Sequence, residues 1–149
     1  MKEILNDTCP LLHRDISSLI NDPPLGISVA VEDDDCTLLH AIVTGVEGTP
    51  YAGGFFHFVL KCTNQYPMTP PKVRFLTTGY GKVRFNPNMY EGGKVCLSIL
   101  GTWSGQQWLP SCSLESVLIS IQSIMTKNAL LNEPGFDRNS EVGQKSLIP

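Results

Sequence analysis

Apolar positions near the start of the chain repeat with the period of an α-helix. They predict a first helix over residues 8–21 that turns one apolar stripe toward a core. Asp7 or Thr8 is suited to cap this helix, and Pro10 falls in its first turn, where a missing N–H costs little. The segment Asn21-Asp22-Pro23-Pro24 then ends it. The stripe comprises Leu12, Ile16, Leu19 and Ile20.

Four short segments after this helix are rich in β-branched and aromatic residues or alternate in polarity, as strands do. The predicted strands are residues 27–31, 38–46, 55–61 and 72–76. Their connections are too short for crossover helices, so the sequence predicts a four-stranded antiparallel meander. The acidic run Glu32-Asp33-Asp34-Asp35 reads as a solvated hairpin turn. A metal site there is the alternative, but the run lacks the glycine and glutamate spacing of a calcium loop.

Regular alternation stops after residue 77, and helical periodicity resumes at Ser113. A loop of that length inside a compact domain is usually functional. Ser113 is suited to cap a second helix over residues 113–127, with Asn128 beyond its end. Its apolar face is wide enough for a central core helix and comprises Leu114, Val117, Leu118, Ile121, Ile124 and Met125. One helix before the sheet and one after it predict an α+β layer architecture.

Composition limits the classes to which the chain can belong. Its 149 residues and 42% hydrophobic content suit one domain with a real core. The net charge is −3 and the eleven Lys and Arg are scattered, so we expect no nucleic-acid partner. We also expect no membrane partner, because no apolar run approaches the roughly 20 residues of a membrane helix. The charged N-terminus lacks the apolar core of a signal peptide.

Five cysteines are spread along the chain. They are Cys9, Cys36, Cys62, Cys96 and Cys112. Their number is odd, and their spacing fits neither a CxxC pair nor a zinc ribbon or finger, so we expect no metal site. The pattern indicates reduced cytosolic thiols that mostly pack as small hydrophobes, with one or two reserved for chemistry.

Cys96 is the candidate nucleophile. It follows Asn86-Pro87-Asn88 in the long loop and opens a short apolar run. A cysteine reacts as its thiolate, and its usual activator is a histidine. His13, His40 and His57 all precede Cys96 and fall on the predicted helix and strands. A Cys–His protease is therefore disfavoured, although distance in sequence does not exclude approach in space.

Asn88 supplies an amide shortly before this cysteine. When an amine attacks an acyl group held as a thioester, negative charge develops on the carbonyl oxygen, and a positioned Asn amide stabilises it. An Asn–Cys pair without a nearby histidine is thus more consistent with acyl transfer between thiols and amines than with hydrolysis. Alternatively, Asn88 is a turn residue that ties the loop to its own backbone, and the two roles can coexist.

These motifs, taken in order, resemble the ubiquitin-conjugating enzymes, which carry ubiquitin as a thioester and pass it to lysine. That family's signature is His-Pro-Asn, then a cysteine in a Gly-x-Ile/Val-Cys-Leu context, then Trp-Ser-Pro-Ala before a helix. The matching segments are Asn86-Pro87-Asn88, Gly93-Lys94-Val95-Cys96-Leu97 and Trp108-Leu109-Pro110-Ser111. The segments Asn21-Asp22-Pro23-Pro24, Pro50-Tyr51-Ala52-Gly53-Gly54 and Tyr66-Pro67-Met68-Thr69-Pro70-Pro71 also fit. The similarity covers residues 8–137, and several motifs in the right order make it specific.

Within the family, three segments are similar to the Z class. They are Phe85-Asn86-Pro87-Asn88, Leu100-Gly101-Thr102-Trp103-Ser104-Gly105 and Asn132-Glu133-Pro134-Gly135-Phe136. In this class an asparagine, here Asn86, stands where other members have the signature histidine. The class implies charging by a less common activating enzyme, one that handles ubiquitin and a tandem ubiquitin-like modifier.

The resemblance also implies roles for individual residues. Cys96 carries the modifier, and Asn88 stabilises the oxyanion. The residues that support the loop are Asn86, Pro87, Asn132 and Glu133. The family's acidic residue beside the incoming lysine falls at Asn132, so Glu133 or Asp137 is expected to substitute for it. Expected contacts are Met68, Pro110 and Ser111 with a ligase, and His13 and Arg14 with the activating enzyme.

The implied function is that of a transferase with three kinds of partner: ubiquitin or a ubiquitin-like modifier, an activating enzyme and ligases. The resemblance implies no cofactor, a cytoplasmic and nuclear location, and a link to apoptosis. Residues 1–149 form one catalytic core domain, but family members continue into two further helices. Arg138–Pro149 has no helical periodicity, so we expect those helices to be missing, the tail 138–149 to be disordered and the chain to be truncated. The alternative is an impaired module on the same fold that binds ubiquitin or a ligase without transfer.

Overall fold

The computed structural model describes residues 9–129. In sequence, one helix precedes a four-stranded sheet and a second helix follows it. The elements are α1 (Pro10–Asn21), β1 (Ile27–Glu32), β2 (Asp35–Thr44), β3 (Phe55–Lys61), β4 (Lys72–Phe75) and α2 (Leu114–Ile124). A single 3₁₀ turn, Ser98–Leu100, lies between β4 and α2. This is the predicted α+β architecture, and the long loop between β4 and α2 is confirmed.

Helix α1 starts later than its pattern predicted. It begins at Pro10, with Cys9 in the capping position and no side-chain cap, so the predicted start at residue 8 and the cap by Asp7 or Thr8 were wrong. A proline at the first helical position has a preset φ and no N–H to satisfy, so it starts a helix without help from a polar side chain. The end at Asn21 is confirmed.

The strands form an antiparallel meander in the order β1-β2-β3-β4, as predicted. The face toward the core carries the buried side chains of β2 and β3. These are Leu39, Ala41, Val43, Phe56, Phe58 and Leu60. Phe58 stacks on Phe75 of β4 with ring centroids 4.9 Å apart, which places the aromatic core beside the strand that leads into the long loop.

The acidic run between β1 and β2 is half strand and half turn, which corrects the prediction that the whole run is a turn. Glu32 pairs with Asp35 across the hairpin, so only Asp33 and Asp34 form the turn. The Asp35 carboxylate accepts a hydrogen bond from Lys61 of β3, and this charge pairing lets an aspartate begin a strand. Within residues 9–129 no group of acidic, histidine or cysteine side chains is arranged to hold a metal ion.

Helix α2 packs its predicted apolar face against the sheet. Ser113 and Ser116 form a reciprocal capping box, in which the Ser116 N–H donates to Ser113 Oγ at 3.3 Å and the Ser113 N–H donates to Ser116 Oγ at 3.2 Å. The helix ends at Ile124, earlier than the predicted residue 127. Met125 leaves the helix but remains buried, so it fills the core from a non-helical backbone.

Several predictions concern residues outside the described part of the chain. They are the supporting residues Asn132 and Glu133, the substitute Asp137, the tail 138–149 and the two expected C-terminal helices. Among residues 9–129 no helix has the length and apolar character required to cross a membrane.

Candidate active site

Asn86 fixes the loop that precedes Cys96. Its side chain is buried, and its Oδ1 accepts the backbone N–H of Asn88 at 2.8 Å. Its Nδ2 donates to the Tyr51 hydroxyl at 2.9 Å, and that hydroxyl donates to the carbonyl of Phe85 at 3.3 Å. Burial raises the pKa of Tyr51, while the bond from Asn86 acts in the opposite direction. Asn86 therefore ties the loop to its own backbone, a role that the sequence had left open for Asn88.

Asn88 and Cys96 are joined by two hydrogen bonds. The Cys96 N–H donates to the Asn88 carbonyl at 2.8 Å, and Asn88 Nδ2 donates to the Cys96 carbonyl at 2.7 Å. Both residues are only 3% exposed. The structure thus brings the two predicted catalytic residues together and holds the amide of one beside the backbone of the other.

Thr102 holds the backbone on both sides of Cys96. Its Oγ1 lies 3.0 Å from the Val95 carbonyl and 3.2 Å from the Leu97 carbonyl, and it accepts the Leu97 N–H at 2.9 Å. The Thr102 N–H also donates to the Leu97 carbonyl at 3.1 Å. The Thr102 side chain therefore hydrogen-bonds the backbone groups of the residues immediately before and after Cys96.

A cavity of about 260 Å³ adjoins the Asn88 side chain. It lies between the 3₁₀ turn and α2, and its walls include Ser98, Trp103, Ser120 and Ser123. Hydroxyl groups therefore line much of the space next to the amide. The cavity offers polar room beside the predicted oxyanion-stabilising group.

The histidines lie away from this site. His40 and His57 occupy neighbouring strands on the sheet face opposite the core, where His40 Nδ1 lies 3.0 Å from His57 Nε2. His40 Nε2 lies 3.0 Å from Glu32. Burial, and then the nearby His40, lower the pKa of His57. Neither histidine is paired with Cys96, which agrees with the argument against a Cys–His protease.

Two loops that carry predicted ligase contacts are tied together. Trp108 Nε1 donates to the Pro67 carbonyl at 2.7 Å, so the segment before Pro110 and Ser111 is anchored to the segment that presents Met68. Met68 is 70% exposed, and Pro110 and Ser111 are also exposed. All three are accessible on one pair of linked loops.

The two predicted contacts for the activating enzyme differ in accessibility. The Arg14 side chain is 75% exposed and lies 3.8 Å from Asp15. His13 Nε2 is buried and has no hydrogen-bond partner among the described residues. Arg14 is therefore the more accessible of the two.

Sequence reasoning missed Tyr51 and Thr102. Tyr51 lies in Pro50-Tyr51-Ala52-Gly53-Gly54 and Thr102 in the Leu100–Gly105 segment, and both segments were recognised only as similar to the family. No local pattern marks either residue, because each acts through a hydrogen bond that only the folded chain creates. Asn86 was the available signal for Tyr51, because a buried asparagine requires hydrogen-bond partners.

Cys96 and the amide that is fixed beside its backbone lie in the loop between β4 and α2, next to a four-stranded antiparallel meander. The family model for ubiquitin-conjugating enzymes matches residues 11–140, and the chain belongs to that family. It is 54% identical over 132 residues to ubiquitin-conjugating enzyme E2 Z of Homo sapiens, and 53% identical over 132 residues to the E2 Z of Danio rerio. Each alignment covers 89% of this chain but 37% and 40% of the relative, respectively. The chain thus spans less than half the length of these curated relatives, and the predicted likeness to the Z class is confirmed.

Solved structures agree with the fold. The structure of human ubiquitin-conjugating enzyme E2 G1 superposes with a TM-score of 0.67 at 32% identity, covering 78% of this chain and 92% of that one. A ubiquitin-conjugating enzyme from Plasmodium falciparum gives a TM-score of 0.66 at 25% identity, covering 77% of this chain and 95% of that one. The predicted ubiquitin-conjugating fold is therefore confirmed.

Proposed function

We propose that this chain carries ubiquitin, or a ubiquitin-like modifier, as a thioester on Cys96 and transfers it to a lysine of another protein. The observation that carries this proposal is the 2.7 Å hydrogen bond from Asn88 Nδ2 to the Cys96 carbonyl. It holds an amide donor next to the residue on which the acyl group would sit. Family membership supports the same reaction class.

The reaction consists of two acyl transfers. In the first, the Cys96 thiolate attacks the carbonyl carbon of the thioester on a charged activating enzyme, and the cysteine thiolate of the activating enzyme leaves. In the second, a neutral lysine amine attacks the Cys96 thioester. The tetrahedral intermediate then collapses to an isopeptide bond, releasing the Cys96 thiolate and a proton from the nitrogen. No net oxidation or reduction occurs in either step.

Asn88 acts in the second transfer, where the carbonyl oxygen becomes negative. To reach that oxygen, the amide turns from the Cys96 carbonyl. The adjoining cavity leaves space for this adjustment. Removing a donor of this kind typically costs on the order of 10²–10³ in rate.

Exposed residues supply the proposed partner contacts. The linked loops with exposed Met68, Pro110 and Ser111 are the proposed ligase surface, and exposed Arg14 belongs to the surface for the activating enzyme. A cytoplasmic and nuclear location fits these partners. Asn132 and Glu133 keep their proposed supporting roles, although they lie outside the described residues.

The test is charging with ubiquitin, ATP and each of two ubiquitin-activating enzymes, followed by gels with and without reductant. The wild-type chain should give a reductant-sensitive band one ubiquitin heavier. Cys96→Ala should give no band, Cys96→Ser a band that resists reductant, and Cys112→Ser the wild-type result, since Cys112 is another thiol of the described chain. A folded chain that gives no band with either enzyme would refute the carrier function.

The alternative is a module that binds ubiquitin or a ligase without transfer. The burial of Cys96 favours it, because a covered thiol has to be uncovered before it can react. Under this alternative, Cys96→Ala would bind ubiquitin or a ligase as the wild type does, and neither chain would form the adduct.

A further inference from the structure

Two peptide planes meet at the Cα of Cys96 and together fix the position of its side chain. The first plane contains the Val95 carbonyl and the Cys96 N–H, and the second contains the Cys96 carbonyl and the Leu97 N–H. A peptide unit is planar, so the free backbone rotations are those between the two planes. Holding both planes therefore fixes the direction of the Cα–Cβ bond that carries the thiol.

Asn88 and Thr102 divide the four polar groups of these planes between them. Asn88 bonds both groups of Cys96, accepting its N–H at 2.8 Å and donating Nδ2 to its carbonyl at 2.7 Å. Thr102 Oγ1 bonds the outer groups, since it lies 3.0 Å from the Val95 carbonyl and accepts the Leu97 N–H at 2.9 Å. Each plane is thus held at one end by Asn88 and at the other end by Thr102.

The single hydroxyl hydrogen of Thr102 belongs to the Val95 carbonyl. The Leu97 carbonyl also lies 3.2 Å from Oγ1, but it already accepts the backbone N–H groups of Leu100 and Thr102, each at 3.1 Å. Two donors match the two lone pairs of a carbonyl oxygen. Thr102 is therefore a donor to the first plane and an acceptor from the second, and a side chain without a hydroxyl loses both contacts.

The contacts made by Asn88 differ in whether they persist during transfer. Its side-chain bond to the Cys96 carbonyl is released when the amide turns toward the oxyanion. Its backbone bond to the Cys96 N–H remains, because Asn86 Oδ1 holds the Asn88 N–H at 2.8 Å. At that moment the second plane retains its hydrogen bond to Thr102 Oγ1. Thr102 therefore holds the plane from which the Asn88 amide has withdrawn.

The exposure of Thr102 separates this role from core packing. Thr102 is exposed, whereas Cys96 and Asn88 are each only 3% exposed. Water can therefore replace the hydroxyl in a variant and satisfy the two backbone groups without fixing them. We expect loss of the hydroxyl to loosen Cys96 without unfolding the chain.

We propose that Thr102 is a positioning residue for the second acyl transfer, in which it keeps Cys96 in place while the Asn88 amide stabilises the oxyanion. It acts through the backbone on both sides of Cys96 rather than on the reacting atoms. The movement of Asn88 rests on the proposed function, whereas the shared support of the two planes rests on the hydrogen bonds alone.

Alkylation of Cys96 in the uncharged full chain is the first test, because it needs no thioester. Iodoacetamide is the probe, and mass spectrometry follows each cysteine separately. Asn88→Ala and Thr102→Val each leave one residue on the second plane, so each should accelerate labelling of Cys96 by less than about threefold. The double variant should accelerate it by more than about tenfold, since neither side chain then holds that plane.

The buried Cys62 is the internal control for this test, because it reports a general opening of the fold. Its labelling should stay slow in all three variants. An acceleration in the double variant no greater than the product of the two single effects overturns the proposal. Equal acceleration at Cys62 and Cys96 overturns it as well, because the two residues would then support the whole fold.

Single-turnover discharge to free lysine is the second test. Thr102→Val should lower the maximal rate of discharge about three- to tenfold more than the rate of charging. The lysine concentration that gives half of the maximal rate should not change, since Thr102 does not bind the acceptor. Thr102→Ser keeps the hydroxyl and should restore the ratio of discharge to charging.

Thr44→Val is the matched control for discharge. It also removes a threonine hydroxyl bonded to a backbone carbonyl, that of Gly26 at 3.1 Å, but it lies at the end of β2, outside the candidate site. Its ratio of discharge to charging should equal that of the wild type. Equal losses of charging and discharge in Thr102→Val, or no rescue by serine, overturn the positioning role.

The two tests separate this proposal from the proposed function. A chain that shows the expected alkylation but cannot be charged refutes the proposed function and not the shared support of Cys96. A chain that is charged normally, but in which Thr102→Val affects charging and discharge alike, refutes the positioning role and not the carrier function.

Discussion

Asn88 and Cys96 hold each other through both backbone and side chain, with the Cys96 N–H on the Asn88 carbonyl and the Asn88 amide on the Cys96 carbonyl. The backbone bond survives any substitution at residue 88 that keeps the loop folded. The side-chain bond does not. This separation allows the position of the cysteine and the stabilisation of the oxyanion to be tested independently.

Asn88→Ala should lower the rate of ubiquitin discharge to lysine by about 10²–10³, because the donor to the developing oxyanion is lost. Formation of the Cys96 thioester should persist, since the leaving and attacking groups are both thiols. Single-turnover charging and discharge, measured separately, check this. Asn64→Ala, at an exposed loop position, is the matched control. If charging and discharge fell equally, Asn88 would be a structural residue only.

Tyr51→Phe should destabilise the fold by about 1–2 kcal/mol, because Asn86 Nδ2 loses its best acceptor while buried. Weaker contacts of the same nitrogen, at 3.4 Å to the Ile124 carbonyl and 3.5 Å to the Met89 sulfur, limit the loss. Urea unfolding with an unchanged m-value checks this. Tyr80→Phe removes a hydroxyl from a fully exposed tyrosine and should have no effect. Equal stability of the two variants would contradict the prediction.

Leu118→Ala should cost about 2–5 kcal/mol, since it opens a cavity between α2 and the sheet. Ile119→Ala, one residue further along the same helix, removes a side chain that is 44% exposed and should change stability by about 0.5 kcal/mol or less. Thermal unfolding of the pair measures the difference. Similar losses in both variants would mean that the face of α2 toward the core has been misassigned.

The hydrogen bond from Lys61, followed by that from Thr37, lowers the pKa of Asp35 to about 2. A carboxyl whose pKa is lower in the folded than in the unfolded chain stabilises the fold fully above its unfolded pKa, about 4. The contribution is lost as the pH falls from there toward 2. Since the Asp35 side chain is 36% exposed, we expect less than about 1 kcal/mol.

Carbon-13 NMR titration of the Asp35 carboxyl checks this value directly. Lys61→Met should move the midpoint back toward 3.8, the unperturbed value. Lys82→Met should leave it unchanged, because Lys82 makes no contact with Asp35. A midpoint near 3.8 in the wild-type chain would rule out the pairing in solution.

Met68→Ala should reduce ligase-stimulated transfer about tenfold, as loss of an exposed apolar anchor does in protein interfaces. Unassisted discharge to free lysine should be unchanged, because Met68 lies on the proline-rich loop rather than beside Cys96. Leu25→Ala, at an almost fully exposed position between α1 and β1, is the control. A loss of unassisted discharge would show that the residue supports the site instead of a partner.

The sheet and the second helix could be predicted because their signals are local. The apolar stripe of α2 and its Ser113 cap occur within one segment, and the packing confirms both. The start of β2 could not be predicted, because the Asp35 carboxylate is paired there with Lys61, which is 26 residues away on β3. Strand propensity alone assigns such a residue to a turn.

The proximity of the two candidate site residues was predictable from the sequence, but the contacts that support them were not. Cys96 and Asn88 are close in sequence, and their pairing agrees with the structure. Tyr51 contacts Asn86 from a turn that is distant in sequence. Nothing in the sequence around Tyr51 indicates that its hydroxyl accepts a hydrogen bond from this amide. Thr102 likewise contacts a backbone that is placed only when the loop has closed.

The five cysteines differ in solvent exposure, and this difference sets the order in which thiol reagents would label them. Cys62 and Cys96 are buried, and burial raises the pKa of Cys62 to about 12, whereas Cys9, Cys36 and Cys112 are partly exposed. A simple alkylating agent reaches accessible thiolates first, so it would modify the three bystanders before the candidate nucleophile. A selective covalent inhibitor must therefore gain its selectivity from binding next to Cys96. A weakly reactive electrophile suits this purpose, because it spares the exposed cysteines.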